Sequence, residues 1–111
     1  MQITKRTPGK VNLCLLVGPR EESGFHQVFT VFAPVDVYDE IEFDLVARPG
    51  GAGPGKVRIE CRVAQGEDNL AAQALHALEK HTRWTFDGRV VIRKGIPAGA
   101  GMGGGSSDAA A

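Results

Sequence analysis

Residues 96–108 read Ile-Pro-Ala-Gly-Ala-Gly-Met-Gly-Gly-Gly-Ser-Ser-Asp, and they constrain the architecture more than any other segment of the chain. The apolar segment Arg89–Arg93 before them predicts a short strand. Three alanines at 109–111 after them predict the start of a helix, for which Ser106 or Ser107 is a typical N-cap. The pattern is therefore strand, glycine-rich turn, helix.

The glycines of this turn indicate an anion-binding loop. Six of the 15 glycines lie between Gly95 and Gly105, where backbone amides can converge on phosphate oxygens without side chains between them. Ser106 and Ser107 add hydroxyl groups that can orient a phosphate-bound Mg²⁺. No Gly-Lys-Ser/Thr follows, which excludes a Walker A loop, and the G-x-G-x-x-G match at 99–104 lacks a dinucleotide-binding context. A plain linker or helix-start turn remains the alternative.

The segment upstream of the turn contains the best-supported helix. Apolar residues at positions 70, 71, 74, 75 and 78 form one helical stripe, which predicts a helix over Leu70–Lys80. Glu67 and Asp68 lie at its positive end, and Lys80 and His81 lie at its negative end, as the helix dipole favours.

Alternating apolar residues predict further strands nearer the N-terminus. Val11–Val17 and Val57–Val63 alternate with period two, and Glu40–Leu45 alternates with its charges outward. Val28–Val37 is almost continuously apolar, which predicts a strand buried on both faces. The Gly- and Pro-rich segment 48–56 predicts a flexible hairpin connection.

The composition excludes several classes of protein. Lys and Arg total 13, as do Asp and Glu, so the chain lacks the basic surplus of a nucleic-acid binder. No apolar run reaches the ~18–20 residues that span a bilayer, and the N-terminus lacks a signal-peptide core, so we expect a cytoplasmic protein without membrane partners. Cys14 and Cys61 are expected to be buried free thiols. The sequence has no cluster of Cys and His residues with the spacing of metal ligands, so it does not predict a metal site.

The chain length predicts one domain over residues 1–111. The alanines at 109–111 are followed by neither a C-cap nor a further apolar turn, and so short a helix has little stability of its own. We therefore expect a fragment cut inside its second helix. The sequence does not predict an oligomeric state.

Four segments, in the same order, resemble the GHMP kinases (galactokinase, homoserine, mevalonate and phosphomevalonate kinases). Residues 97–110 are similar to that family's phosphate-binding motif, Pro-x-x-x-Gly-Met-Gly-x-Gly-Ser-Ser-x-Ala-Ala. The other three segments resemble one branch of that family: residues 8–13 resemble its Pro-Ala-Lys-x-Asn-Leu stretch, 24–26 its Gly-Tyr-His segment, and 67–70 the start of its first helix. The resemblance implies an α+β fold, similar to ribosomal protein S5 domain 2, with a mixed, largely antiparallel sheet and helices on one face.

The triple glycine before the two serines resembles the same branch of the family. That branch transfers the γ-phosphoryl group of ATP, with Mg²⁺, to the 2-hydroxyl of cytidine-diphosphate methylerythritol in non-mevalonate isoprenoid biosynthesis. The resemblance thus implies a small-molecule kinase. The alternatives are another GHMP small-molecule kinase or an inactive nucleotide-binding fragment. Because the family's catalytic aspartate falls in a later glycine-rich segment, we expect these 111 residues alone to be inactive.

The resemblance also implies roles for individual residues, beginning with Lys10 as a catalytic group near the transferring phosphoryl group. The implied ATP-binding residues are Asn69, Lys94, Pro97, Ala98, Gly99, Ala100, Gly101, Met102, Gly103, Gly104, Gly105, Ser106 and Ser107. The implied substrate-binding residues are Asn12, Phe25, His26 and Phe32.

Structural alternatives remain open for several of these residues. Lys10 can be a solvated lysine, Asn69 a helix cap, and His26 or Phe32 a packing residue. Phe25 stands where the family usually has Tyr, which keeps an aromatic face for a cytosine ring and loses only a hydroxyl.

Overall fold

The computed structural model describes residues 1–50, 55–62 and 69–111, and within them a four-stranded sheet is packed against two helices. The elements are β1 (Gln2–Arg20), β2 (His26–Pro49), β3 (Val57–Cys61), α1 (Leu70–Thr82), β4 (Trp84–Arg93) and α2 (Gly104–Ala110). Both helices lie on the same face of the sheet, where an apolar groove is lined by residues from each helix and from the strands. The expected α+β architecture is confirmed.

The sheet has the strand order β1-β2-β4-β3. β1 and β2 form a long antiparallel hairpin, closed by a turn in which Glu21 N donates to Phe25 O at 2.7 Å and Gly24 has a φ of 87°. β2 pairs antiparallel with β4, whereas β3 pairs parallel with β4. A parallel pair needs a crossover connection, and α1 lies between β3 and β4 in the chain.

The predicted segments 11–17, 28–37, 40–45 and 89–93 lie within longer strands, whereas β3 ends at Cys61 and is shorter than the predicted segment 57–63. Residues 2–10 extend β1 because they pair with 34–44 of β2. This part of the strand was missed because its sequence has no apolar alternation. The segments 28–37 and 40–45 are parts of one strand, β2. Burial of 28–37 on both faces is also wrong, since Phe29 is 65% exposed where the hairpin extends past the helices.

The predicted hairpin connection over residues 48–56 is wrong. Its flanking strands β2 and β3 are not neighbours, because β4 lies between them and pairs with both. Residues 51–54 of this connection, and Val63 of the predicted third strand, lie outside the described residues.

The first helix is confirmed and extends two residues further, to Thr82. Asn69 is its N-cap, and its side chain accepts a hydrogen bond from Ala71 N at 2.8 Å. The C-cap Arg83 adopts a left-handed φ of 59°. The acidic residues Glu67 and Asp68, predicted to favour its first turn, lie outside the described residues.

The second helix begins earlier than predicted, at Gly104, with Gly103 rather than a serine as N-cap. Close packing explains why glycines occupy its first turn. A Cβ atom on Gly104 would lie 3.1 Å from Ile96, and one on Gly105 would lie 3.2 Å from Leu70 of α1. The glycines therefore let α2 approach both the loop and the first helix.

The core lies between the sheet and the helices. Its buried cluster consists of Ile41, Cys61, Val90 and Ile92, against which Phe43, Leu45, Val57, Ile59 and Ala71 pack. The inward-facing alternation predicted for 41, 43 and 45 is therefore confirmed. Both cysteines are free thiols, but only Cys61 is buried; Cys14 is exposed because it lies on the uncovered part of the hairpin. In the described part of the chain, neither helix is long and apolar enough to span a membrane.

Candidate functional site

The turn between β4 and α2 has a backbone that requires glycine at three positions. Gly99, Gly101 and Gly103 have φ values of 71°, 72° and 67°, a region that side chains with a Cβ atom rarely adopt. Around Gly99 and Gly101 there is open space, so conformation rather than crowding selects glycine there. At Gly103 both apply, because a Cβ atom would lie 3.2 Å from Lys10 Cε.

A cavity of about 330 Å³ borders this turn. The residues predicted to bind ATP line it, with the exception of Ser107: Asn69, Lys94, Pro97, Ala98, Gly99, Ala100, Gly101, Met102, Gly103, Gly104, Gly105 and Ser106. The structure therefore brings together residues from the end of β4, the turn, and the first turns of both helices.

Lys10 joins strand β1 to the turn through its main chain and its side chain. Its backbone N–H donates to Met102 O at 2.9 Å, and its Nζ donates to Gly101 O at 2.7 Å. Nζ also donates to Asn12 Oδ1 at 3.0 Å and lies 5.2 Å from the centroid of the Phe32 ring. Three predicted site residues thus meet beside the turn, and the Lys10 ammonium is held in one place.

Phe25 and His26 lie at the opposite end of the hairpin. The Phe25 side chain is 77% exposed. His26 Nδ1 is 2.8 Å from Gly18 O, and because a carbonyl only accepts, Nδ1 carries the proton and Nε2 is the acceptor in the neutral ring. Six strand positions separate His26 from Phe32, which corresponds to about 20 Å.

Two aspartates that the sequence analysis missed lie directly behind the turn. Asp39, on β2, is fully buried and accepts hydrogen bonds from Gly95 N at 2.8 Å and from Ile96 N at 2.9 Å. It shares strand parity with the inward-facing residues 41, 43 and 45. An acidic residue on the inward face of an amphipathic strand was the signal that would have revealed it.

Asp108, on α2, is the second buried aspartate. Its carboxylate accepts from Thr7 Oγ1 at 2.6 Å and from Lys94 Nζ at 3.0 Å, and the same Lys94 Nζ lies 2.5 Å from Asp39 Oδ2. We call Thr7, Asp39, Lys94 and Asp108 the Lys94 cluster. It connects β1, β2, the end of β4 and α2.

Burial and hydrogen bonding shift the pKa values of this cluster in different directions. Burial tends to raise the pKa of Asp39, but donors from Ile96, Lys94 and Gly95 outweigh it and hold that pKa below its usual range. Burial raises the pKa of Asp108, although Thr7 and Lys94 donate to it. Burial alone would lower the pKa of Lys94, yet the two carboxylates raise it, so Lys94 is charged at neutral pH.

Comparison with known proteins agrees with this geometry. The family model described as the GHMP kinases N terminal domain matches residues 69–111. A crystal structure of 4-(cytidine 5'-diphospho)-2C-methyl-D-erythritol kinase superposes with a TM-score of 0.68 at 35% sequence identity, over 97% of this chain and 37% of that one. The chain belongs to the GHMP kinase family and has the fold of its N-terminal domain.

Within that family, the chain is similar to the 4-diphosphocytidyl-2-C-methyl-D-erythritol kinases. It is 40% identical to the enzyme of that name from Anaeromyxobacter sp. (strain K), over 100% of this chain and 35% of the relative. It is 42% identical to the one from Saccharopolyspora erythraea, over 98% of this chain and 35% of the relative. The chain therefore spans about a third of the length of these relatives.

Proposed function

We propose that the protein transfers the γ-phosphoryl group of ATP to the 2-hydroxyl of 4-diphosphocytidyl-2-C-methyl-D-erythritol, in the cytoplasm. One observation carries the proposal: the glycine-rich turn lines a cavity, and the ammonium of Lys10 is held in place beside that turn. The names of the relatives, at about 40% identity across the whole chain, supply the substrate.

The cavity beside the turn is the proposed ATP site. Three left-handed glycines leave the backbone of the turn without side chains that would separate its amides from phosphate oxygens. Asn69 and Lys94 border the same cavity, and Ser106 adds a hydroxyl group. In the proposed site these residues and the turn enclose the nucleotide on several sides.

Magnesium is proposed to arrive with the nucleotide. In the described part of the chain, no cluster of three His, Cys, Asp or Glu side chains is positioned to hold a metal ion by itself. A site without such a cluster is compatible with Mg²⁺, because in nucleotide sites this ion keeps several waters and binds mainly through phosphate oxygens. The hydroxyl groups of Ser106 and Ser107 are the proposed protein contacts, and the ion neutralises phosphate charge.

Lys10 is the proposed catalytic residue. Phosphoryl transfer is promoted by positive charge held where negative charge develops in the transition state. The Lys10 ammonium is fixed by Gly101 O and Asn12 Oδ1, so that little reorganisation is needed when the reaction occurs. In this proposal it stabilises the transferring phosphoryl group and eases deprotonation of the acceptor hydroxyl.

The long hairpin is the proposed acceptor site. Asn12 and Phe32 lie beside Lys10, whereas Phe25 and His26 lie about 20 Å along the strand. An extended substrate can place its sugar alcohol at Lys10 and its base at the hairpin tip. There the exposed Phe25 ring offers a stacking surface, and His26 Nε2 offers a hydrogen-bond acceptor to the base edge.

The two carboxylates nearest the cavity are poor candidates for a general base. Asp39 accepts three hydrogen bonds, and Asp108 is bonded to Thr7 and Lys94. A carboxylate that is buried and already holds neighbouring donors is not readily reached by a substrate hydroxyl. We therefore propose that residues 1–111 by themselves bind and orient the reactants without sustained turnover.

The test is a phosphoryl-transfer assay on the full-length protein that contains these residues. We expect ADP formation that depends on the cytidine-diphosphate substrate, and none with mevalonate or homoserine. Lys10→Ala should lower kcat strongly while the Kd for ATP changes little, because its charge acts mainly in the transition state. Turnover of mevalonate or homoserine in place of the cytidine compound would refute the substrate, and unaltered kcat in Lys10→Ala would refute the role of Lys10.

A further inference from the structure

The turn proposed to bind ATP is held at both ends by the Lys94 cluster. At the start of the turn, Asp39 accepts from the backbone amides of Gly95 and Ile96. Beyond its end, Asp108 lies in α2, and Lys94 Nζ bridges the two aspartates at 2.5 and 3.0 Å. The distance that the turn must span is therefore fixed by side chains that are separate from the turn itself.

Burial and charge make Lys94 a poor phosphate ligand. Its side chain is 16% exposed, against 0% for Asp39 and 4% for Asp108. An ammonium has three N–H donors, and the two carboxylates take two of them. One cation and two ionised carboxylates carry a net negative charge, which repels rather than attracts the phosphates of a nucleotide.

We propose that Lys94 is a positioning residue, whose side chain holds the phosphate-binding turn in shape together with Asp39 and Asp108, and that its ammonium does not bind the phosphates of the nucleotide. The turn alone would retain many conformations, because its glycines restrict the backbone little. Tethering both ends to one ion cluster reduces that freedom before ATP arrives, which favours binding. This inference rests on the proposed function for its link to ATP.

The first experiment measures the tether without any nucleotide. Hydrogen exchange is followed in the full-length protein and in Lys94→Met, with Lys80→Met, an exposed lysine of α1, as the matched control. We expect exchange over residues 95–107 to accelerate at least tenfold in Lys94→Met, with unchanged protection of Val90 and Ile92 in the core. Equal exchange of the turn in Lys94→Met and Lys80→Met would overturn the tether.

The second experiment removes one negative charge from the Lys94 cluster and measures whether ATP binds more tightly or more weakly. Asp108→Asn keeps the size of the side chain but removes a negative charge beside the cavity. Were electrostatic attraction to ATP the role of this cluster, the variant would bind ATP more tightly. The proposal predicts the opposite, a Kd for ATP at least about threefold higher, because the charged bridge to Lys94 is weakened. Tighter or unchanged binding would overturn the proposal.

A double-mutant cycle then separates positioning from direct contact. If Lys94 acts through the tether, Lys94→Met should weaken ATP binding about tenfold in the parent and much less in an Asp108→Asn background. If Lys94 touches the nucleotide, its removal should have the same effect in both backgrounds, which would refute the proposal.

The exchange experiment and the ATP-binding experiments fail independently. A parent protein that binds no ATP, with the expected change in exchange, would refute the proposed function and keep the tether. A parent that binds ATP, with additive losses and unaltered exchange, would keep the proposed function and refute the tether. Thermal melting of each variant verifies that it is folded, and Asp108→Asn serves as the milder variant should Lys94→Met fail to fold.

Discussion

Replacing Gly103 by alanine tests the proposed phosphate loop at a position that has both a left-handed backbone and a close contact with Lys10. The residue has a φ of 67°, and an added Cβ atom would lie 3.2 Å from Lys10 Cε. A left-handed conformation costs a non-glycine residue roughly 1–2 kcal/mol. At 1.4 kcal/mol per factor of ten, that cost corresponds to a Kd for ATP about 5- to 30-fold higher.

The contact with Lys10 adds a second effect. The lysine stem must move by a few tenths of an ångström, while its ammonium is held by Gly101 O and Asn12 Oδ1. Gly103→Ala should therefore lower kcat as well as ATP affinity. Gly99→Ala has a similar φ of 71° and no neighbour within 4 Å, so it should weaken ATP binding while kcat is largely kept.

Titration calorimetry with ATP and steady-state kinetics measure the two effects in the full-length protein. Gly50→Ala is the matched control, because its φ of 61° carries the same backbone cost in open space at the end of β2. It should lose stability without any change in ATP affinity. If Gly103→Ala binds ATP as well as Gly50→Ala does, the turn is not a phosphate loop of this shape.

Three further predictions concern stability, pH and base recognition. Gly9→Ala should raise the free energy of unfolding by about 0.4–1 kcal/mol in denaturant titrations, since its tightest neighbour, Met102 Cε at 3.1 Å, is a flexible side-chain end; destabilisation would contradict this. Asp39→Asn should lose about 1.5–3 kcal/mol at pH 7. Because the folded pKa of Asp39 is lowered, this deficit should persist above pH ~4 and shrink as the pH falls below it; a pH-independent deficit would argue against ionisation. Phe25→Ala should raise KM for the cytidine substrate at least about tenfold, while Phe25→Tyr should not.

The features predictable from the sequence were those determined by neighbouring residues. The periodicity of α1, its Asn69 cap and the inward positions 41, 43 and 45 all follow from local patterns, and the structure contains them. The glycine-rich turn was likewise recognised from composition, because left-handed backbone selects glycine at 99, 101 and 103.

The features that could not be predicted depend on contacts between distant segments. Residues 2–6 are polar apart from Ile3, and they join the sheet only because 40–44 provide their hydrogen-bond partners. The position of β4 between β2 and β3 has no local signature either. In the candidate site, Lys94 was recognised by resemblance, whereas its partners Asp39 and Asp108 become meaningful only when the chain brings them together.

The central place of β4 has a consequence for how the chain is synthesised. β2 leaves the ribosome with one edge unpaired, and the strand that covers this edge is made about forty residues later. Glu40, Glu42 and Asp44 line the open stretch, and their like charges oppose pairing with a second nascent chain. When β4 arrives, Arg93 pairs with Glu40 and Glu42, so two of the three charges that keep the edge soluble become cross-strand ion pairs. We therefore expect uncharged substitutions here to reduce the yield of folded protein more than its final stability.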